Sequence, residues 1–249
     1  KLTLSDPILK NKYYYQNDLM TLEIEVSDAS NCFNLNSLFD QSSAASQIRP
    51  AYRDWLSRYL ELKSLSKVKI QSFMDQLIDW VDQDNQPLNF GAENYFYIGP
   101  ASQTQQFTPK RLLVDLSEIQ NCPIMQNLNF TEMTSNLCVI PRSTKQLLNI
   151  NTLVKEDALL VASFFNEKNL EFTESQILNL PKNGYDDISV FANHFSKSAI
   201  YPPQVLSINS RTFNLEGTII NENFSATIES LVILDLSSTV KILSRTFNF

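Results

Sequence analysis

The 249-residue chain is short of glycine, cysteine, histidine and positive charge, and each shortage removes a class of function. Its four glycines, Gly91, Gly99, Gly184 and Gly217, are too scattered to build a phosphate-cradling loop, so every nucleotide-binding fingerprint fails. The three cysteines, Cys32, Cys122 and Cys138, contain no CxxC pair, which argues against zinc. Their number fits one disulfide plus a free thiol as well as three free thiols. The single histidine, His194, lies in an apolar segment with no Gly-x-Ser-x-Gly elbow elsewhere, and reads as a partly buried side chain rather than a general base. With 20 Lys and Arg against 27 Asp and Glu, the net charge of -7 argues against a phosphate-binding surface and hence against nucleic acid. No run approaches the ~20 apolar residues that span a bilayer, and no signal peptide is present. The chain starts at Lys1 without an initiator Met, so a targeting segment is expected to lie outside it.

What is present describes an ordinary globular protein, with 43% hydrophobic and 19% charged residues. Residues 1–18 show no period and read as an irregular lead-in. Residues 21–26 alternate, with Leu22, Ile24 and Val26 on one face, as a half-buried strand does. Pro50 opens a helix with Tyr52, Trp55, Leu56, Tyr59 and Leu60 on one stripe. A second helix from about Ser66 buries Phe73, Met74, Leu77, Ile78 and Val81, and both Trp55 and Trp80 read as core. Thr108-Pro109 predicts helical material over 110–120, and a short helix follows from Thr131. Further helices are expected over 155–165 and from Thr173, which has capping-box spacing to Gln176. A third apolar segment spans 188–195. Strands are expected over 212–220, 225–236 and 239–249, the last with a parity switch that fits a bulge near Leu243. The Asn-rich run at 33–38 is echoed at 147–153, and the echo is too short to prove a duplication. A first strand ~170 residues from its partners suggests a helical domain inserted into an α+β one.

Residues 77–97 carry the strongest chemical signal. A helix ends among Asp79, Asp82 and Asp84, the chain turns at Pro87 and Gly91, and Glu93 precedes an aromatic run. Acids at a helix C-terminus oppose the macrodipole at a cost of roughly 0.3–1 kcal/mol each, so a positive charge or full solvation is expected there. Asp82, Asp84 and Glu93 have the first, third and twelfth positions of an EF-hand loop. Pro87 stands where the sixth-position glycine should be, however, and Gln86 holds the fifth position. A different calcium loop and a solvated acidic turn are the two readings these residues leave open.

Taken together, several stretches resemble the minor pseudopilin K family of type II secretion, general secretion pathway protein K. The resemblance rests on residues 28–38 (Asp-Ala-Ser-Asn-Cys-Phe-Asn-Leu-Asn-Ser-Leu), on 77–87, and on Gly-Ala-Glu-Asn-Tyr-Phe-Tyr at 91–97. It continues through 112–120, Leu-Cys-Val-Ile-Pro at 137–141, 149–153 and the strand-rich C-terminus. Phe96 replaces the first residue of the family's Tyr-Tyr pair.

The resemblance implies an α+β, pilin-like fold with an antiparallel sheet and a large inserted all-helical domain. The expected division is 1–34 and 201–249 for the pilin-like part and 35–200 for the insertion. It implies a non-enzymatic subunit that joins the I and J minor pseudopilins at the tip of the pseudopilus and supports exoprotein secretion. Contacts with the major pseudopilin, an exoprotein or the secretin are also implied. The family's N-terminal helix, absent here, would anchor in the inner membrane and leave this part in the periplasm. The apolar assembly surface is expected on the pilin-like part. The resemblance further implies calcium in the acidic region, with Asp79, Asp82, Asp84, Asn85 and Glu93 as ligands. An oxidising compartment and the family-like segments around Cys32 and Cys138 imply a bridge between those two; Cys122–Cys138 is the rival pairing. The alternatives are a free-standing, exported, calcium-stabilised binding protein and, less favoured, a hydrolase using His194.

Overall fold

A computed structural model describes residues 1–40, 47–100, 105–195, 204–221, 224–235 and 239–248. The polar loop at 41–46, the expected domain boundary at 200/201, residue 236 and Phe249 lie outside the described residues. Five antiparallel strands form one sheet in chain order: β1 (Tyr13–Gln16), β2 (Thr21–Asp28), β3 (Thr212–Ile220), β4 (Ser225–Leu234) and β5 (Val240–Asn248). The register places Leu22, Ile24 and Val26 opposite Ile219, Gly217 and Leu215, and Gly217 opposite Ile228. Directly opposed residues share a face, so Leu22, Ile24, Val26, Leu215, Ile219 and Ile228 line one side of the sheet. In β5, Ile242 faces Val232 while Ser244 faces Leu231, which leaves Leu243 as the extra residue of a bulge. The bulge brings Val240 and Ile242 onto the same face as Phe247.

Residues 1–18 are not irregular. They hold a single helical turn, Pro7–Lys10, and the edge strand β1. All four β1 residues are exposed, so the strand has no buried face to write an alternating pattern into the sequence.

The chain leaves the sheet after Asp28 and returns at Thr212, and between them lie the helices. The Asn-rich echo marks two copies of one arrangement. Phe33–Asn34 pairs in parallel with Leu137–Cys138, and Leu148–Asn149 with Leu206–Ser207. The first pair encloses α1 (Pro50–Leu62) and α2 (Lys67–Val81); the second encloses α3 (Ala158–Phe165) and α4 (Leu170–Leu178). Asn34 Oδ1 accepts from the Asn36 N–H at 3.2 Å, and Asn149 Oδ1 accepts from the Asn151 N–H at 3.0 Å. The second Asn of each copy clamps one remote residue by both backbone groups. Asn36 accepts from the Leu113 N–H and donates to its carbonyl, both at 2.9 Å. Asn151 does the same with Tyr185, at 2.7 and 2.9 Å. A buried amide that satisfies a donor and an acceptor at once fixes the loop it holds.

The two copies share one core. The Trp55 ring lies 4.8 Å from Phe33 and 5.0 Å from Phe164, and its Nε1 donates to Ser163 Oγ at 3.0 Å. Asp28 ties this core to the sheet. Its carboxylate accepts from the Ser30 N–H and Oγ at 2.9 and 2.6 Å, from Thr152 Oγ1 at 2.5 Å, and from Ser210 Oγ.

Two helix starts differ from expectation. Residues 110–120 form only a 3-10 segment, Leu116–Asn121, because Asp115 and Glu118 make the capping box there. Thr108 instead spends its N–H and Oγ1 on Asn94 Oδ1, at 2.7 and 2.9 Å. α4 is capped by Asn169, whose Oδ1 accepts from the Phe172 N–H at 3.0 Å, and Thr173 lies inside the helix.

Candidate metal centre

α2 ends where its buried stripe becomes acidic. Asp75 and Asp79 lie one turn apart, both buried, and Asp82 terminates the helix with its N–H donating to the Ile78 carbonyl at 2.9 Å. The chain then doubles back along the same face. Asp79 receives the Leu88 N–H at 3.2 and 3.3 Å on its two oxygens, and Asp75 receives the Phe90 N–H at 3.2 Å. Gly91 permits this approach, since a Cβ built there would lie 1.8 Å from Asp79 Oδ2. Glu93 then caps the short helix Asn94–Tyr97, its Oε2 accepting from the Asn94 N–H at 3.3 Å.

The result is a compact trio. One carboxylate oxygen from each of Asp79, Asp82 and Glu93 lies within 4.8 Å of the others. Asp79 and Glu93 are fully buried, and Asp82 is half-buried. Asp82 Oδ1 and Glu93 Oε1 have no hydrogen-bond partner among the described residues. Burial pushes the Asp79 carboxyl up to about 7 and that of Asp82 to about 6, and the neighbouring acids push both the same way. Glu93 is raised as well, chiefly by burial. Unpartnered buried oxygens and mutual repulsion are the features a bound cation would relieve, and an all-oxygen donor set suits a hard ion.

The other two expected ligands lie outside the trio. The Asp84 carboxylate is turned into its own loop, accepting from the Gln86 N–H at 2.8 Å. Asn85 Oδ1 accepts from Asn94 Nδ2 at 3.2 Å and from Lys110 Nζ at 2.7 Å. The positive charge that the acidic helix end calls for is supplied by Lys110, whose Nζ lies 3.9 Å from Glu93 Oε2. Sequence reasoning passed over Lys110 because it follows Glu93 by a loop with no local pattern. It also passed over the Tyr97 hydroxyl, buried beside the site with no partner among the described residues.

Cys32 and Cys138 form the disulfide, with Cα atoms 5.8 Å apart, and Cys122 is free and buried. His194 is not part of the acid trio.

Gly91→Ala is expected to displace the Asp79 carboxylate and lower stability by roughly 1–3 kcal/mol, the usual range for overpacking a tight interior. Thermal melts of the variant with and without calcium would measure it; an unchanged melting temperature would contradict the close approach.

Comparison with known proteins bears on the whole chain. The family described as type II secretion system (T2SS), protein K, matches residues 31–142. Type II secretion system protein K of Klebsiella pneumoniae is 31% identical over 140 residues, 56% of this chain and 42% of that protein. Residues 31–142 thus match the domain of type II secretion system protein K. The protein K of Pectobacterium carotovorum subsp. carotovorum is 26% identical over 200 residues, 76% of this chain and 58% of that one. The chain thus spans about half the length of the protein K relatives it matches. The K subunit in the crystal structure of the GspK-GspI-GspJ complex from enterotoxigenic Escherichia coli shares the fold. Its TM-score is 0.80 at 19% identity, covering 100% of this chain and 87% of that one. The α+β architecture with its antiparallel sheet is therefore that of protein K.

Proposed function

We propose that this protein is a non-enzymatic minor pseudopilin at the tip of the type II secretion pseudopilus, where it assembles with the I and J minor pseudopilins. The match of residues 31–142 to protein K supports the reading, and the K subunit that shares the fold was captured in complex with GspI and GspJ. The soluble part works in the periplasm of a bacterium whose inner membrane anchors the assembly. The half-buried apolar face of the sheet, with Leu22, Ile24, Val26 and Leu215, is the surface suited to partner packing. No helix among the described residues is long and apolar enough to cross a membrane.

The acid trio binds calcium in this reading. Asp79, Asp82 and Glu93 would hold it, and Asp84 and Asn85 are further oxygen donors in the same loop. The ion would supply charge neutralisation and a fixed cross-link between the end of α2 and residues 88–93. Its role in this reading is structural: it offsets the buried negative charge and fixes the loop.

Co-purification tests the assembly. Mixed with the I and J minor pseudopilins of its own secretion system, the protein is expected to elute as one ternary complex in size-exclusion chromatography. Elution of three separate species at micromolar concentrations would overturn the proposal.

A further inference from the structure

Lys110 is placed with unusual care for a surface lysine. Its segment is clamped to the helix that Glu93 caps, through the two bonds from Thr108 to Asn94 Oδ1. Its backbone is left-handed, with φ 49°, a conformation uncommon for a residue with a Cβ and one that points to an imposed position. From there the ammonium donates to Asn85 Oδ1 at 2.7 Å, to the Gln83 carbonyl at 3.5 Å, and to the Asp84 carbonyl. It also lies 3.9 Å from Glu93 Oε2, and among the described residues no other Lys or Arg forms an ion pair with the trio. An ammonium within a ring of oxygens is the arrangement a metal ion would itself adopt.

We propose that Lys110 is a tethered counter-cation: it holds the acidic loop when no divalent ion is bound and competes with that ion for two of its candidate ligands, Glu93 and Asn85. The proposal rests on the calcium reading above and deepens it. Two cations cannot share one small oxygen cage without repulsion, so the ion must displace the ammonium from Glu93 and Asn85. The lysine therefore lowers the affinity for calcium and at the same time stabilises the ion-free loop. Binding becomes an exchange of one cation for another at the Glu93 side of the site.

The test uses the whole protein, stripped with chelator, as wild type and as Lys110→Met, with calcium chloride as the only ligand. Calorimetric titration is expected to show ~10-fold tighter calcium binding by Lys110→Met, as removal of a nearby like charge implies. By the thermodynamic cycle, the variant in chelator should melt roughly 3–6 °C below wild type. In saturating calcium the two should melt together. Equal affinities in two calcium-binding proteins would overturn the exchange alone. An equal loss of melting temperature in chelator and in calcium would also overturn it, because it would show an ordinary packing role. Failure of calcium to bind either protein would overturn the calcium reading and the exchange with it.

Discussion

Replacing Cys32 and Cys138 with serine is expected to lower stability by about 4–5 kcal/mol, the loop-entropy value for a bridge spanning roughly 100 residues. The separation here is 106 residues, so the disulfide closes almost the whole first copy of the repeat. Without it the two segments keep a parallel ladder of two residue pairs, Phe33–Asn34 with Leu137–Cys138, and side-chain bonds from Asn34, Asn36 and Gln146 across the same junction. Such a ladder cannot hold a long loop closed by itself, because its few net hydrogen bonds contribute only about 0.5–1.5 kcal/mol each. For a chain of this size the loss corresponds to roughly 8–20 °C in melting temperature. Cys122 will not substitute for a lost partner. It is fully buried, and that burial pushes its thiol up to about 12, which leaves almost no thiolate to exchange. Calorimetry of the oxidised wild type against the double serine variant measures the effect. A loss below about 1 kcal/mol would show that the bridge only decorates a loop the core already holds.

The sequence announced some of this architecture and concealed the rest for identifiable reasons. α1 and α2 were legible because Trp55, Leu56, Phe73 and Leu77 face a core, and a buried stripe repeats with the helical period. β2 was legible by its alternation. β1 was not, since Tyr13, Tyr14 and Tyr15 sit on an exposed edge where no face selects the pattern. The Asn-x-Asn echo looked too short to mean duplication. Its force appears only when Asn36 is seen clamping Leu113, and Asn151 clamping Tyr185, contacts 77 and 34 residues away. At the acidic site, local spacing pointed to Asp82, Asp84 and Glu93 and the family resemblance added Asp79; Asp79, Asp82 and Glu93 converge. Asp84, equally well spaced, is drawn aside by a bond within its own loop to the Gln86 N–H. Side chains of Asp, Asn and Ser compete for nearby backbone groups, and spacing alone does not reveal which acid makes such a turn.

The metal-free protein is expected to lose stability as pH rises from about 5 to about 8, and calcium is expected to abolish most of that loss. The sign follows from the direction of the shifts. Asp79 is raised from 3.8 to about 7 and Asp82 to about 6, so the folded protein keeps protons that the unfolded chain has already released. Stability falls with pH wherever the unfolded state binds fewer protons. The contribution is therefore present below the unfolded carboxylate range and lost as pH passes upward through 6 and 7. Asp157, raised to about 6 by burial, adds a fall of the same sign that calcium cannot reach. The difference between chelator and calcium is accordingly the quantity that isolates the trio. At pH 8 that difference should be on the order of 2–3 kcal/mol at an ion concentration ~100 times the dissociation constant, or roughly 4–12 °C. Near pH 5 it should shrink, because protons and calcium compete for the same oxygens. Glu93→Gln is expected to remove both the calcium response and part of the pH slope, since it withdraws a donor and one of the charges that raise Asp79 and Asp82. Thermal melts across this range decide the matter. A chelator-treated protein that grows more stable toward pH 8 would mean the trio is ionised without help, and a lysine at 3.9 Å would then be compensation enough.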